Sequence, residues 1–304
     1  MKYHLGLDVG GTNFAAAVVD DGFNIVARAV IPAGAGRDIT AITEDMAKVS
    51  LQAVQDAGLR LEDIENWGIG MPSCVNSKTG LLVHANCFGW HNVPIYDYLA
   101  PLLPLPVKIE NDANCAAYGE LIAGAAKGYS NALMLTLGTG VGGGIILDGK
   151  IYSGADGLGV ELGHTKLVYE GEQCTCGQKG CLEAYCSATA LIRDAARAGI
   201  IGDAKKVFDL AAQGNPTAVR LIDDYTGYLA AGISSFIAIF RPEVIIIGGG
   251  VAGAGDALLA PLREKLPRCT FGAVESGLPP VVEASLGNDA GLIGAAFVNS
   301  AGRN

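Results

Sequence analysis

Basic residues are scarce in this chain of 304 residues, which has 21 Lys and Arg against 31 Asp and Glu. The formal net charge is −10. An acidic chain without a basic run is poorly suited to bind nucleic acid or an anionic membrane surface. We therefore expect neither as a partner.

Long apolar runs are also missing. The most apolar stretch, "YLAAGISSFIAIF", ends at Arg241 and Pro242 and is too short to cross a bilayer, so it predicts a buried helix. The first residues, "MKYHLGLDVGG", enter a strand pattern without the charged and apolar regions of a secretory leader. We expect a cytoplasmic protein, in which cysteines stay reduced.

Glycine is abundant, with 43 residues, and 50% of the chain is hydrophobic. That composition predicts many tight turns and enough apolar surface for two cores rather than one. The segments "LGLDVGGTNFAAAVVDDG" and "ALMLTLGTGVGGGIILDG" both indicate a strand, a glycine turn, a second strand and an acidic turn. With Gly10 set on Gly138, Asp20 falls on Asp148.

The repeat continues to the end of each half. Helices are predicted at about 39–57 and 216–240, and "PPVVEASLGNDAGLIGAA" matches "PVKIENDANCAAYGE", which sets Asp289 on Asp112. The order βββαβαβα in both halves predicts an internal duplication, with two α/β domains flanking a cleft. The expected domains are 1–118 together with the last helix, 290–304, and 119–289.

Three glycine-rich segments follow apolar strands: "DVGGTN", "LGTGVGGG" and "IGGGVAGAG". The first two lie between strands, whereas a dinucleotide fingerprint leads from a strand into a helix, so a Rossmann site is excluded. A hairpin turn free of side chains can present backbone N–H groups to a phosphate. Two such turns in duplicated positions favour phosphate binding over simple tight turns. Beside the first turn, Asp8 either caps it or binds Mg²⁺ through water.

The stretch "KIENDANCAAYGE" places Glu110, Asn111 and Asp112 where a strand ends and a helix begins. Ligands of duplicated α/β folds bind at such strand ends. Asp112 either caps the helix or takes a proton from a substrate hydroxyl, for which a carboxylate is an adequate base in phosphoryl transfer. Asp289 holds the equivalent position, and the duplication alone does not decide between the two aspartates.

The stretch "GHTKLVYEGEQCTCGQKGCLEAYC" contains one histidine and four cysteines. One imidazole and three thiolates suit a tetrahedral, structural Zn²⁺, and the four ligands are His164, Cys174, Cys176 and Cys181. A set that uses Cys186 in place of the histidine stays open, although Cys181 and Cys186 do not share a helical face. We predict that the zinc loop, 164–186, aims polar side chains such as Glu161 and Glu183 at a substrate.

These motifs resemble the ROK family of sugar kinases and repressors (repressor, open reading frame, kinase). The matching stretches are "LGLDVGGTNFAAAVVD", "GIGMPSCVNSKTGLLVHAN", "ENDANCAAYGE", "LTLGTGVGGGIILDGKIYSG", "VELGH" for the family's "GELGH", "CTCGQKGCLEAY" and "IIIGGGV". They span nearly the whole chain. The resemblance implies the duplicated actin-like, ribonuclease H-like ATPase fold with a zinc-binding loop.

The resemblance also implies an ATP-dependent hexose kinase with structural Zn²⁺, in which Asp112 accepts the sugar proton, and a homodimer. The sugar-binding residues that it implies are Asn86, Asn111, Asp112, Glu161, His164 and Glu183. The zinc ligands that it implies are His164, Cys174, Cys176 and Cys181. The residues expected to bind ATP and its Mg²⁺ are Asp8, Gly10, Gly11, Thr12, Asn13, Thr139 and Gly140, with Gly249 and Gly250 near the adenosine.

Glucokinases of the family look similar in "GWHNVPI" and "CLEAY", which implies D-glucose phosphorylated on its 6-hydroxyl. Cys87 stands where glucokinases often have asparagine, and it keeps N-acetylglucosamine, N-acetylmannosamine, mannose, fructose and allose open as substrates. One competing class is a chaperone or cytoskeletal ATPase of the same fold, which needs no zinc-held sugar site. The other is a sugar-sensing repressor, which carries a DNA-binding domain before the first strand. Since that strand begins by residue 3, we expect the kinase.

Overall fold

The computed structural model describes residues 2–34, 36–85 and 87–302. Within these residues the strands are β1 Tyr3–Val9, β2 Asn13–Asp20, β3 Ile25–Pro32, β4 Ile64–Met71, β5 Cys74–Val75, β6 Leu82–Ala85, β7 Trp90–Val93, β8 Val107–Asn111, β9 Ala132–Leu137, β10 Val141–Leu147, β11 Lys150–Tyr152, β12 Val244–Gly248 and β13 Val281–Glu283. The α-helices are α1 Ile39–Asp56, α2 Ile95–Leu99, α3 Asp112–Ile122, α4 Glu183–Cys186, α5 Ala188–Arg197, α6 Ala204–Ala212, α7 Pro216–Phe240, α8 Asp256–Cys269, α9 Ala273–Ser276 and α10 Asp289–Phe297.

Two five-stranded sheets share one strand order, β3-β2-β1-β4-β8 and β11-β10-β9-β12-β13. In the first sheet β2 pairs antiparallel with β1 and β3, and β4 pairs parallel with β1 and β8. In the second, β10 and β11 are antiparallel, and β12 is parallel to β9 and β13. The repeated order predicted from the sequence is therefore confirmed.

The central strands are apolar along their whole length because both of their faces are covered. All five residues of β12, "VIIIG", are buried, and seven of the eight residues of β4 are buried. Such continuous apolar runs are typical of parallel strands with helices on both faces. The exposed positions of β3 alternate with partly buried ones, as expected for an edge strand.

The long helices begin at side-chain caps. The Asp38 carboxylate accepts hydrogen bonds from two backbone N–H groups in the first turn of α1. The Asn215 side chain accepts one from the Ala218 N–H of α7, whose first residue is Pro216. These residues satisfy donors that a helix leaves open at its start. The last helix, α10, packs against α3, β1 and β4. Among the described residues no helix is both long and apolar enough to cross a membrane.

The chain divides into two compact units. The first contains 1–130, 144–160 and 285–304, and the second contains 131–143 and 161–284. The domain bounds predicted from the sequence, 1–118 with 290–304 and 119–289, stay a prediction. A small sheet of β5, β6 and β7, which the sequence pattern did not predict, lies between β4 and α2 in chain order.

Candidate active site

The first glycine turn joins the antiparallel strands β1 and β2. The Gly10 N–H donates to the Asn13 carbonyl at 3.0 Å, and the Ala33 N–H donates to the Thr12 carbonyl at 2.8 Å. Residues 11–13 are exposed. The predicted hairpin context is confirmed, and the turn presents short, open backbone to a ligand.

Three strand ends of the first sheet bring polar residues to one edge. Asp8 lies opposite Gly70 in the parallel pairing of β1 and β4, and Gly70 lies opposite Glu110 in the pairing of β4 and β8. Asn111 follows at the end of β8. The carboxyl ends of parallel strands are where α/β sheets bind ligands. The first unit therefore collects the predicted phosphate turn and the predicted base at one edge.

Asp8 sits in an unfavourable place for a negative charge. Burial, and secondly the charge of Asp112, raise the pKa of Asp8 to about 6. Its carboxylate faces α10, where a Cβ added at Gly291 would lie 3.7 Å from Asp8 Oδ2. A buried carboxylate whose pKa is raised by a neighbouring carboxylate is one whose charge a bound cation would stabilise. The donor set thus fits a divalent cation held by oxygen ligands.

Asp8→Asn should stabilise the protein at pH 8. The folded-state pKa of about 6 exceeds the ordinary 3.8, so the protonated form of Asp8 favours folding below about pH 4. That contribution is lost as the pH rises through 6. The variant should therefore gain about 1–3 kcal/mol in free energy of unfolding at pH 8, and less at pH 5. Urea unfolding at both values, without Mg²⁺ or nucleotide, measures this.

Asp20→Asn is the matched control, because backbone N–H groups that donate to Asp20 lower the pKa of its carboxyl. Its effect should have the opposite sign, with a loss of stability at pH 8. An Asp8→Asn variant that is no more stable than wild type at pH 8 would contradict the placement of Asp8 in a negative environment.

Asn111, and not Asp112, caps α3. The Asn111 side-chain oxygen accepts hydrogen bonds from the Ala113 N–H at 2.9 Å and the Asn114 N–H at 3.2 Å. Asp112 is the first helical residue, and its Oδ1 accepts from the Ala113 N–H at 2.8 Å. The cap is therefore satisfied without the Asp112 carboxylate. The Asn111 amide nitrogen still offers two donors.

Asp289, the duplicated counterpart of Asp112, has a different environment. It is the first residue of α10 and forms an ion pair with the Arg28 guanidinium. The Arg28 guanidinium is thus an ion-pair partner of the Asp289 carboxylate. The structure thus separates the two aspartates that the sequence left equivalent.

The second glycine turn is braced by α5. The Ala188 N–H donates to the Gly138 carbonyl at 2.8 Å, and Thr189 Oγ1 donates to the Thr139 carbonyl at 2.7 Å. The Gly249 backbone lies against the strand that enters this turn, since a Cβ at Gly249 would be 2.6 Å from the Leu137 nitrogen. The second unit therefore places two of the predicted nucleotide segments side by side. Thr189 was not predicted, because an exposed threonine in a helix carries no signal of its own.

The four predicted zinc ligands converge. Their ligand atoms all lie within 4.8 Å of one another, and the residues are His164, Cys174, Cys176 and Cys181. His164 Nδ1 lies 3.7 Å from Cys174 Sγ, and Cys176 Sγ lies 3.7 Å from Cys181 Sγ. Two thiolates on tetrahedral Zn²⁺ would be about 3.8 Å apart, given the usual Zn–S bond length. The arrangement fits that ion.

Cys186 lies outside this cluster. Its side chain is buried, and burial raises the pKa of its thiol well above the ordinary value. Its carbonyl accepts a hydrogen bond of 2.5 Å from the Tyr225 hydroxyl. The geometry favours His164 over Cys186 as the fourth ligand.

Glu183 connects the cysteine loop to the second glycine turn. It is buried, and it accepts hydrogen bonds from the Val141 N–H at 3.0 Å and from Thr175 Oγ1 at 2.5 Å. A Cβ at Gly140 would lie only 2.4 Å from Glu183 Oε2, so a larger residue there would require the Glu183 carboxylate to move. Thr175 was missed by the sequence analysis, although its position between two ligand cysteines is a usable signal.

The other residues predicted to bind sugar or ATP lie at the following positions in the structure. Glu161 is exposed and precedes the 3₁₀ turn Leu162–His164, and Gly249 and Gly250 are exposed after β12. Cys87 lies beside the first glycine turn, since a Cβ added at Gly11 would be 3.5 Å from the Cβ of Cys87. Asn86, the other predicted sugar-binding residue, lies outside the described residues.

Comparison with known proteins gives consistent matches over the full length. The model of the ROK family matches residues 4–301. A glucokinase of Thermotoga maritima is 36% identical over 313 residues, which cover 97% of this chain and 96% of that protein. An N-acetyl-D-glucosamine kinase of Haemophilus influenzae is 33% identical over 309 residues, which cover 96% and 98%.

One similar solved structure contains bound ligands. The ROK family glucokinase of Streptomyces griseus, in complex with glucose and AMPPNP, superposes with a TM-score of 0.81 at 32% identity, covering 97% of this chain and 98% of that one. The likeness in sequence and in fold therefore extends over nearly every residue. The chain belongs to the ROK family.

Proposed function

We propose that this protein is a glucokinase, which transfers the γ-phosphoryl group of ATP to the 6-hydroxyl of D-glucose. An ATP-dependent sugar kinase is supported by the Thermotoga maritima glucokinase and by the Streptomyces griseus structure with glucose and AMPPNP. The observation that carries the chemistry is the pair of carboxylates, Asp8 and Asp112, beside the first glycine turn. Asp8 is suited to bind a cation, and Asp112 is suited to accept a proton.

Asp112 is the proposed base. It accepts the proton of the sugar hydroxyl as the oxygen attacks the γ-phosphorus, and the bond from that phosphorus to the bridging oxygen of ADP breaks. Phosphoryl transfer has a loose transition state, so the position of the carboxylate matters more than its basicity. The Asn111 cap fixes the start of α3, and Asp112 is the first residue of that helix.

The glycine turns are proposed to hold ATP. Backbone N–H groups of Gly10–Asn13 and of Thr139–Gly140 donate to the phosphate oxygens, and Gly249 and Gly250 lie along the adenosine. Asp8 would hold Mg²⁺ through water. When bound, that ion neutralises charge on the β- and γ-phosphates.

The sugar is proposed to bind through side chains that differ in hydrogen-bonding character. Ionised Glu161, Glu183 and Asp112 accept only, whereas Asn111 and His164 also donate. His164 Nδ1 lies 3.7 Å from Cys174 Sγ, so His164 is proposed to bind the metal through Nδ1 and a sugar hydroxyl through Nε2. Asn86 completes the proposed set.

Zn²⁺ is proposed to be structural. Three thiolates and one imidazole would complete its tetrahedral shell and leave no position for a reacting water. The ion would fix the loop whose Thr175 hydroxyl donates to Glu183. A homodimer and a cytoplasmic location stay predictions from the sequence.

D-Glucose should be the preferred sugar. A misplaced hydroxyl leaves a polar group of the sugar site without its hydrogen-bond partner, which costs about 1–3 kcal/mol. We expect kcat/KM for D-glucose to exceed that for N-acetylglucosamine and N-acetylmannosamine by at least ~10-fold, or about 1.4 kcal/mol. A coupled assay of ADP release, run with these sugars and with mannose, fructose and allose, measures the ratios.

The relatives supply the reason to include acetamido sugars in that panel, since the Haemophilus influenzae protein is an N-acetyl-D-glucosamine kinase. A higher kcat/KM for an acetamido sugar or a ketose would agree with the sugar-kinase activity and contradict the preference for D-glucose. ADP release that does not depend on any sugar would contradict both.

A further inference from the structure

Glu172, which precedes Cys174 by two residues in the zinc loop, is held by both its backbone and its side chain. Its N–H donates to the Tyr185 hydroxyl at 2.7 Å. Its carboxylate accepts two hydrogen bonds from the Arg197 guanidinium, of 2.7 and 3.1 Å. We call Glu172, Tyr185 and Arg197 the clasp. All three residues lie within 161–284 of the second compact unit.

The Tyr185 hydroxyl lies directly against the backbone of the zinc loop. Tyr185 is 8% exposed, and the centroids of its ring and the Tyr228 ring are 4.6 Å apart. A Cβ added at Gly171 would lie 2.0 Å from the Tyr185 hydroxyl oxygen, so the loop approaches this oxygen at a glycine. Without the hydroxyl, the part-buried Glu172 N–H would lose its acceptor, which costs stability. One oxygen atom of Tyr185 therefore holds the loop.

The ion pair of the clasp has a well-defined geometry. Arg197 binds the Glu172 carboxylate through two nitrogens, which fixes direction as well as distance. Arg193, one turn earlier on α5, lies 3.8 Å from the same carboxylate and donates to the Ala184 carbonyl at 2.9 Å. Bidentate pairs within a network contribute more than isolated surface pairs. The clasp thus ties the zinc loop to α5 and, through Arg193, to the residue after Glu183.

The clasp acts on the same short loop as the predicted zinc ligands. Thr175 follows Glu172 by three residues, and its hydroxyl donates to the Glu183 carboxylate. Glu183 is the first residue of α4, and Tyr185 lies two residues further on. The hydrogen bond from Glu172 to Tyr185 therefore fixes the loop to the helix that carries Glu183. The metal ligands and the clasp are two separate restraints on this arrangement.

We propose that Tyr185 and Glu172 are positioning residues, whose clasp holds the zinc loop against α4 so that Glu183 keeps its place in the sugar site. The proposal rests on the sugar-kinase function proposed above. Groups that are ordered before a ligand arrives bind it more tightly, because less freedom is lost on binding. Loss of the clasp should therefore weaken sugar binding and leave the chemical step unchanged.

Tyr185→Phe tests the proposal, because it removes the clasp hydroxyl and keeps the ring. Amide hydrogen exchange, followed by mass spectrometry, should be at least about threefold faster in the loop peptide that contains Glu172. KM for the sugar should rise about threefold to tenfold, as expected for one lost hydrogen bond, with kcat within about twofold and KM for ATP unchanged. Zinc content should stay at the wild-type value, because the four predicted ligands are unchanged. Glu172→Gln, which removes only the charge that faces Arg197, should raise KM for the sugar by a smaller factor.

Tyr228→Phe is the matched control, since it removes the same atom from the ring beside Tyr185 and leaves the clasp intact. Glu170→Gln is the control for charge, since Glu170 pairs with Lys179 in the same loop, outside the clasp. Neither control should change KM for the sugar.

Hydrogen exchange in Tyr185→Phe that equals that of wild type would overturn the clasp. Faster exchange with unchanged KM for the sugar would overturn the positioning role. Loss of zinc from Tyr185→Phe would overturn it too, since the effect on the sugar would then act through the metal. If wild type neither phosphorylates nor binds any hexose, the proposed function fails and the positioning role fails with it, whereas hydrogen exchange still reports the clasp.

Discussion

Asp112→Asn is expected to lower kcat for sugar phosphorylation by at least ~100-fold, the lower end of general-base effects. Asparagine keeps the shape and the Oδ1 acceptor for the Ala113 N–H, but it cannot take a proton from the sugar hydroxyl. The α3 cap comes from Asn111, so the helix should stay intact. Steady-state kinetics, with sugar affinity measured by calorimetry, should show the loss in kcat and not in binding.

Asp289→Asn is the control that the duplication provides. Asp289 pairs with Arg28, so its loss should lower stability and leave kcat within about threefold, a change too small for a lost base. If Asp289→Asn instead abolished turnover while Asp112→Asn stayed active, the two aspartates would have been assigned the wrong way round.

Cys176→Ser is expected to remove zinc and to weaken sugar binding. The protein should contain about one zinc per chain, as four ligands of this type imply. Because metal binding is coupled to local folding, loss of the ion should disorder the loop that holds Thr175 against Glu183. The Kd for the sugar should rise by about 10-fold or more, as for residues that support a metal site. Metal analysis and calorimetry measure the two effects.

Two cysteine controls accompany that variant. Cys269 is exposed and lies outside the cluster, so Cys269→Ser should change neither zinc content nor sugar affinity. Cys186→Ala should keep zinc, which excludes the alternative set of four cysteines. Full sugar affinity in metal-free Cys176→Ser protein would show that the cluster does not support the sugar site.

The fold was predictable where local signals agree with the hydrophobic pattern. The helix predicted over 216–240 forms as α7, because Asn215 caps it, Pro216 suits its first turn, and Arg241 and Pro242 follow its end. The repeated strand order followed from the two glycine hairpins. The small sheet of β5, β6 and β7 was not predicted, since its strands are two to four residues long.

The metal-ligating residues of the candidate site were predictable from the sequence, whereas the hydrogen bonds and ion pairs between its distant residues were not. The cluster of His164, Cys174, Cys176 and Cys181 could be predicted from spacing alone, because four soft ligands lie within a short loop. The pairing of Asp289 with Arg28 could not, since 261 positions separate them in the chain. Glu183 was predicted as a sugar ligand, but its hydrogen bonds to Val141 and Thr175 depend on tertiary packing.

The backbone at Val160 shows a different limit. The sequence shows valine where the family pattern has glycine, yet a backbone angle cannot be read from a residue type. The φ of Val160 is 71°, in the left-handed region, which only the structure shows. A departure from a glycine pattern is thus a signal whose meaning needs the structure.

Identification of the product formed from ATP and D-glucose tests the central claim most directly. Phosphorus NMR of the reaction should show loss of the γ-phosphorus signal of ATP, appearance of ADP, and one new phosphate monoester on the 6-hydroxyl of glucose, with one sugar phosphate formed for each ADP. ATP that remains intact with glucose, or a phosphate attached to another hydroxyl, would contradict the account.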